Sequence, residues 1–199
     1  MNTPPELPDT AGCVINRDPC IKTWSGKYVD LLNPTAAMVD LGDISHALHN
    51  LCRYTGHTRT FYSVAEHCIL AAGIAREDGC SHEEISAVLL HDAAEAYLSD
   101  ISRPLKVLLR SLGVTSYDDL SDKWDAAIGE RFGIDFQKHY TLIKRVDNEM
   151  MLAEKHRFWP WDQEEWACLS GSERRFIDWL DCKPQDSYFF TAAVWHGIK

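Results

Sequence analysis

The stretch Ser81-His-Glu-Glu-Ile-Ser-Ala-Val-Leu-Leu-His-Asp92 opens as a helix N-terminus. Ser81 and Glu84 have the spacing at which each side chain satisfies the other residue's backbone N–H. Ile85, Val88 and Leu89 then recur at helical intervals. Asp92 continues the same register, so periodicity assigns a carboxylate to the interior. A lone buried carboxylate is costly unless it is paired or bound to a metal. His91 is its neighbour, and adjacent helical side chains diverge by about 100°. Both could therefore touch one ion lying over the edge between them.

The helical period extends outward in both directions. A first helix is expected from a cap at Asp43 through Ile44, Ala47, Leu48, Leu51 and Cys52, ending near Gly56. A second starts at the capping box Ser63-Val-Ala-Glu66 and turns Val64, Cys68, Ala71, Ala72 and Ala75 inward. The third, from Ser81, buries Ile85, Val88, Leu89 and Ala93. Pro104 suits the first turn of a fourth helix carrying Leu105, Val107, Leu108 and Leu109. A fifth covers about 118–132 and stops at Gly133, and a sixth covers about 139–158 and stops before Pro160. A seventh begins at Ser170-Gly-Ser-Glu173, and a last one is expected over 186–196. Residues 1–12, with three prolines, read as a loose arm. Residues 22–33 read as a short β-hairpin around Ser25-Gly26. No internal repeat or linker interrupts this pattern. The expectation is one all-α domain over 1–199, a helical bundle with a short N-terminal hairpin.

Composition narrows the function classes. The 199 residues are 45% hydrophobic and 25% charged, ordinary values for a globular chain. Thirty acidic against 20 basic side chains give a net charge of −10, which disfavours a nucleic-acid polymer or an acidic membrane as partner. A small phosphorylated ligand needs only a few local arginines. The apolar run Cys68–Ala75 is too short to span a bilayer, and Met1-Asn-Thr-Pro-Pro-Glu6 carries no secretory pattern. Seven cysteines without a Cys-x-x-Cys spacing fit a reducing cytoplasm and argue against a disulfide framework. Tryptophans 159, 161, 166, 179 and 195 leave room for a homo-oligomer.

Two further helices repeat the anomaly of Asp92. His67 lies on the apolar stripe of the second helix, between Val64 and Ala71. Asp147 lies on that of the sixth, between Ile143 and Met150. Each has a plain alternative: a hydrogen-bonded core histidine, or an aspartate paired with Lys144 or Arg145. Three anomalies in otherwise regular helices favour convergence on one site. Two imidazoles and two carboxylates suit a divalent Mn, Fe, Co, Ni or Zn ion. Glu95 shares the face of His91 one turn on, and Asp100 follows just beyond. Acidic groups beside a metal site can serve hydrolysis as acid or base.

These residues resemble the H…HD…D signature of the HD-domain metal-dependent phosphohydrolases. His91-Asp-Ala-Ala-Glu95 with Asp100-Ile-Ser-Arg-Pro-Leu-Lys106 is similar to the H-D-x-x-E…D-x-x-x-P-x-K segment of bacterial 5′-deoxynucleotidases. Ser63-Val-Ala-Glu-His67 and the pair Arg53-Tyr54 resemble the same group. Gly56-His-Thr-Arg59 with Tyr62 resembles a compact branch that includes phage dATP triphosphohydrolases. The likeness covers roughly residues 24–158 and leaves the last forty unplaced.

The resemblance implies that His67, His91, Asp92 and Asp147 hold one divalent transition-metal ion. It implies that Glu95 is the acid/base group and that Asp100 positions water or substrate. Arg53, Tyr54, His57, Arg59 and Lys106 become substrate-contact candidates. The implied substrate is a small nucleotide, either a deoxynucleoside monophosphate or a triphosphate; the latter would bring an additional Mg or Mn ion. The expected compartment is the cytoplasm of a bacterium, or of its host if the gene is viral. Ordinary alternatives stand beside these roles. Arg53 could cap the first helix, and Arg59 and Lys106 could be solvated charges. An HD-type (p)ppGpp hydrolase, a phosphodiesterase and a non-catalytic nucleotide-binding helical protein are the rival functions. A diiron variant needs extra histidines, and only His139 lies between Asp92 and Asp147.

Overall fold

In the computed structural model, the described residues are 19–173 together with Arg175 and Ile177. The expected arm at 1–12 and the expected helix at 186–196 lie outside them. The chain is mostly helical with a two-stranded antiparallel hairpin near its start.

Strands β1 (Cys20–Lys22) and β2 (Tyr28–Asp30) pair in the register Cys20–Asp30, Ile21–Val29, Lys22–Tyr28. Gly26 turns the hairpin at φ 86°, a conformation that side chains with a Cβ rarely adopt. The hairpin is tied down by Asp43, whose carboxylate accepts from the Ser25 backbone N–H at 2.7 Å and from its hydroxyl at 2.8 Å. That contact explains a correction. Helix α1 (Leu41–Asn50) is capped by Asp40, which accepts from Gly42 and Asp43, and not by Asp43. Both aspartates suit a cap; the hairpin takes both carboxylate oxygens of Asp43, whereas Asp40 gives one to Lys27 and keeps the other for the helix.

The capping boxes predicted at Ser63 and Ser81 are both formed, opening α2 (Val64–Glu77) and α3 (His82–Leu89). Pro104 lies in the first turn of α5 (Arg103–Ser111). Helix α6 (Ser116–Phe132) ends at Gly133 in the left-handed region, and α7 (Tyr140–Phe158) ends before Pro160. Ser170 and Gly171 form a turn after a 3-10 helix at Ala167–Leu169; no helix starts at Ser170 among the described residues.

Three expectations fail between residues 50 and 98. Helix α1 stops at Asn50, so Cys52 is not on its stripe; Cys52 forms a β-bridge with Ser63. Helix α3 ends at Leu89, so His91 and Asp92 lie in a turn beyond it. Glu95 does not share a helix with His91; it starts the short helix α4 (Glu95–Leu98). The break after Leu89 has a local cause. The Val88 carbonyl, which a continuing helix would bond to the Asp92 N–H, takes the His91 imidazole Nδ1 at 2.6 Å instead.

Helix α2 occupies the centre. One side, with Val64 and Cys68, joins Ile44 and Leu48 of α1, Leu89, Tyr97 of α4, and Trp124 and Ile128 of α6. The other, with Ala71, Ile74 and Ala75, packs with Val88, Val146 and Met150. Trp124 is fully buried and stacks on Tyr97 with ring centres 3.9 Å apart. His67 therefore stands between two apolar clusters, on the helix that both share.

Candidate metal centre and the adjoining cavity

His67 is fully buried on α2, and its Nδ1 lies 2.6 Å from Glu154 Oε1 on α7. A carboxylate can only accept, so Nδ1 carries a proton and Nε2 is the nitrogen left to face a ligand. His91 has the same arrangement through the Val88 carbonyl. Both rings thus present Nε2 to one point, and these two atoms are 3.4 Å apart.

The carboxylates complete the cluster. His91 Nε2 is 3.3 Å from Asp92 Oδ2, and His67 Nε2 is 3.4 Å from Asp147 Oδ1. The crossed distances are 3.9 Å for His67 to Asp92 and 4.0 Å for His91 to Asp147. Two ligands of one ion, each bonded at about 2.1 Å, lie roughly 3.0 to 4.2 Å apart in tetrahedral or octahedral geometry. All the measured separations fall in that interval. His67, His91 and Asp147 hold their donor atoms within 4.8 Å of one another and fit a divalent cation. Cys68 Sγ, His91 and Asp92 form a second such grouping, with donor atoms within 4.8 Å of one another. The alternative partner for Asp147 is also present: Lys144 Nζ bonds its other oxygen at 3.2 Å.

The electrostatics agree with this reading. Burial and Arg53 push the His67 imidazolium pKa down, but Glu154 and Asp147 outweigh them and raise it to about 9. Burial opposes ionisation of Asp92, yet His91, His67 and Arg53 hold its pKa below the ordinary value. Burial likewise opposes ionisation of Asp147, and the hydrogen bond and charge of His67 reverse the effect. The site is an anionic pocket kept ionised by cationic neighbours.

Arg53 links this cluster to its surroundings. Its guanidinium lies 3.3 Å from Asp92 and 3.5 Å from Glu154, and its Nε is buried without a partner. It caps no helix; it opens a 3-10 turn at Arg53–Gly56. Tyr54 and Thr55 in that turn have φ of 56° and 54°, a left-handed conformation costly for non-glycine residues. The turn is held at its ends. The Arg53 N–H bonds the Tyr62 carbonyl at 2.9 Å, and the Val64 N–H bonds that of Leu51 at 3.0 Å. The fold thereby directs the Tyr54 hydroxyl onto Glu154.

Glu154 carries no motif in the sequence, yet it organises the site. It is fully buried, accepts from His67, Tyr54, Tyr62 and Arg53, and has its pKa lowered to about 2. Burial alone would raise that pKa; Arg53 and His67 reverse it. A signal existed: Glu154 lies seven residues after Asp147, two turns along the same face.

Glu95 is buried, with Oε1 3.8 Å from Lys106 Nζ and Oε2 without a partner. Burial, then the charges of Asp92 and Asp100, keep its pKa well above the ordinary value. Burial also raises Asp100, partly opposed by Arg53. Asp125 on α6, unmarked by any motif, is raised to about 7 by burial and by Asp92 and Asp122.

A cavity of about 410 Å³ adjoins the cluster, lined among others by Arg53, Tyr54, Asp100, Arg103, Met151 and Trp166. Of the substrate-contact candidates, Arg53 and Tyr54 line it; Lys106 does not, and lies instead beside Glu95. His57 and Arg59 are exposed and do not line it; Arg59 stacks 4.3 Å above the Trp161 ring.

Comparison with known proteins gives two relatives. The uncharacterized protein YfdR of Escherichia coli (strain K12) is 36% identical over 153 residues, which span 76% of this chain and 79% of that protein. The uncharacterized protein RCAP_rcc00048 of Rhodobacter capsulatus is 38% identical over 114 residues, 55% of this chain and 56% of that protein. No family model matches the chain.

Proposed function

The chain belongs to the family of the Escherichia coli protein YfdR, and we propose that it is an HD-type metal-dependent phosphohydrolase acting on nucleotides. The observation that carries this reading is the pair of imidazoles. His67 and His91 each have Nδ1 committed to an acceptor and Nε2 turned toward the other and toward Asp92 and Asp147. Such outer partners fix the tautomer that a metal ligand needs. The nitrogen and oxygen donor set suits Mn, Fe, Co, Ni or Zn.

A divalent cation held by these four side chains would supply Lewis-acid polarisation of a phosphoryl oxygen and a water of lowered pKa. The remaining parts come from the chain. Arg53 is fixed between Asp92 and Glu154 with an unused Nε, placed to offset charge on the phosphoryl group. Glu95 has one buried oxygen with no partner and holds its proton more tightly than an ordinary glutamate, which suits proton exchange with the attacking water and leaving oxygen. Lys106 beside Glu95 moderates that charge. Asp100, in the cavity wall, orients water or substrate.

The test is product analysis. Purified protein supplied with Mn or Co is incubated with deoxynucleoside monophosphates and triphosphates, and released phosphate, pyrophosphate and triphosphate are separated. Orthophosphate from a monophosphate identifies a 5′-nucleotidase, and intact triphosphate identifies a triphosphohydrolase. Asp92→Ala should abolish both turnover and bound metal. Release from no substrate by metal-loaded protein overturns the proposal in favour of a binding protein.

A further inference from the structure

Beyond α7 the chain returns to the cavity along residues 160–169, outside the part that resembles the HD phosphohydrolases, and brings Trp166 to its wall. The indole is held in place before any ligand arrives. Its Nε1 donates to Asp162 Oδ2 at 3.2 Å. Asp162 is anchored by Lys155, whose ammonium lies 3.4 Å from its carboxylate and 3.2 Å from its backbone carbonyl. Trp159 flanks the ring at 5.9 Å between centres. The one polar group of the indole is thus committed to Asp162, Lys155 Nζ lies over one face at 5.7 Å from the ring centre, and what remains for a ligand is the π surface at the cavity wall.

We propose that Trp166 is a substrate-binding residue: the wall on which the base of a nucleotide, a purine above all, stacks. This rests on the nucleotide reading above and deepens it. Pro104 and Met151 give the same cavity further apolar surface. Arg53 lines it as well and touches Asp92 of the ligand cluster, so base and phosphate would share one continuous space. Stacking on an aromatic ring tolerates any base because each has a π face. A purine offers the larger face, and about 410 Å³ is room for it.

The experiment measures binding of deoxyadenosine and of tripolyphosphate separately, by calorimetry, to the full-length protein, to Trp166→Leu and to Trp166→Phe. Removing one base–aromatic stack weakens binding between about 5- and 150-fold. Trp166→Leu should lose deoxyadenosine affinity in that range while keeping tripolyphosphate affinity within twofold, and Trp166→Phe should recover most of the loss. If phosphate release is found, KM for deoxyadenosine phosphates should rise in Trp166→Leu with kcat nearly unchanged. The proposal is overturned if Trp166→Leu binds deoxyadenosine like the parent, if it loses both ligands equally, or if the parent binds no nucleoside. Absence of phosphate release together with Trp166-dependent nucleoside binding would defeat the hydrolase reading and leave this one standing.

Discussion

Glu154 Oε1 and His67 Nδ1, 87 positions apart in the chain, meet at 2.6 Å in a space closed to solvent. The contact decides which nitrogen His67 offers to the ligand cluster. Replacing Glu154 by glutamine keeps the shape and removes the charge. Outer-partner changes of this kind cost 10–100-fold in metal affinity, and that is the expected drop in Mn or Zn affinity by calorimetry. Replacing it by leucine leaves Arg53 buried with Asp92 as its sole remaining ion-pair partner among the described residues. A broken buried pair costs about 3–5 kcal/mol, readable as a fall in the urea midpoint.

Metal uptake should depend steeply on pH. A cation must displace the second imidazole proton of His67, which the metal-free protein holds up to a pKa of about 9. Apparent affinity should therefore improve about tenfold per pH unit between pH 6 and 8 and level off near 9. Folding stability of the metal-free protein moves in the opposite sense. A raised histidine pKa contributes stability that is complete below about 6.5 and is lost as pH rises through about 9. The gap in Tm between metal-loaded and metal-free protein should widen over that window; a gap independent of pH counts against the assignment of His67.

Gly129, inside α6, tests the packing of the helix end. A Cβ there would stand 2.5 Å from the Ile134 carbonyl oxygen, a backbone atom in the turn that Gly133 closes. Alanine gains about 1 kcal/mol of helix propensity, but overpacking against an immovable neighbour costs about 1–3 kcal/mol. The clash should win, lowering Tm by several degrees in a thermal melt. An unchanged or higher Tm would show that the turn yields.

The sequence was readable where local chemistry settles the structure. The serine–glutamate pairs at 63–66 and 81–84 satisfy their own backbone, and both formed where the pattern put them. Reading failed where a distant partner decides. Periodicity cannot show that the hairpin takes Asp43 and leaves the cap to Asp40. A local competition escapes it too: His91 takes the Val88 carbonyl where α3 ends. For the candidate site, His67, His91, Asp92 and Asp147 converge although the helix expected to carry the middle pair stops before them. Glu154 escaped because a glutamate near the end of a charged helix looks solvated until Arg53, Tyr54 and Tyr62 arrive from a loop about a hundred residues earlier. Nothing local reveals that Trp161 lies beneath Arg59.

Glu154 and Lys155 are consecutive on α7, yet one steadies an imidazole at the ligand cluster and the other moors the strap bearing Trp166. A slight rotation of that single helical turn would disturb both at once. Ion retention and choice of ring would then drift together under random mutagenesis, so a library selected for altered base preference should return clones with altered metal demand.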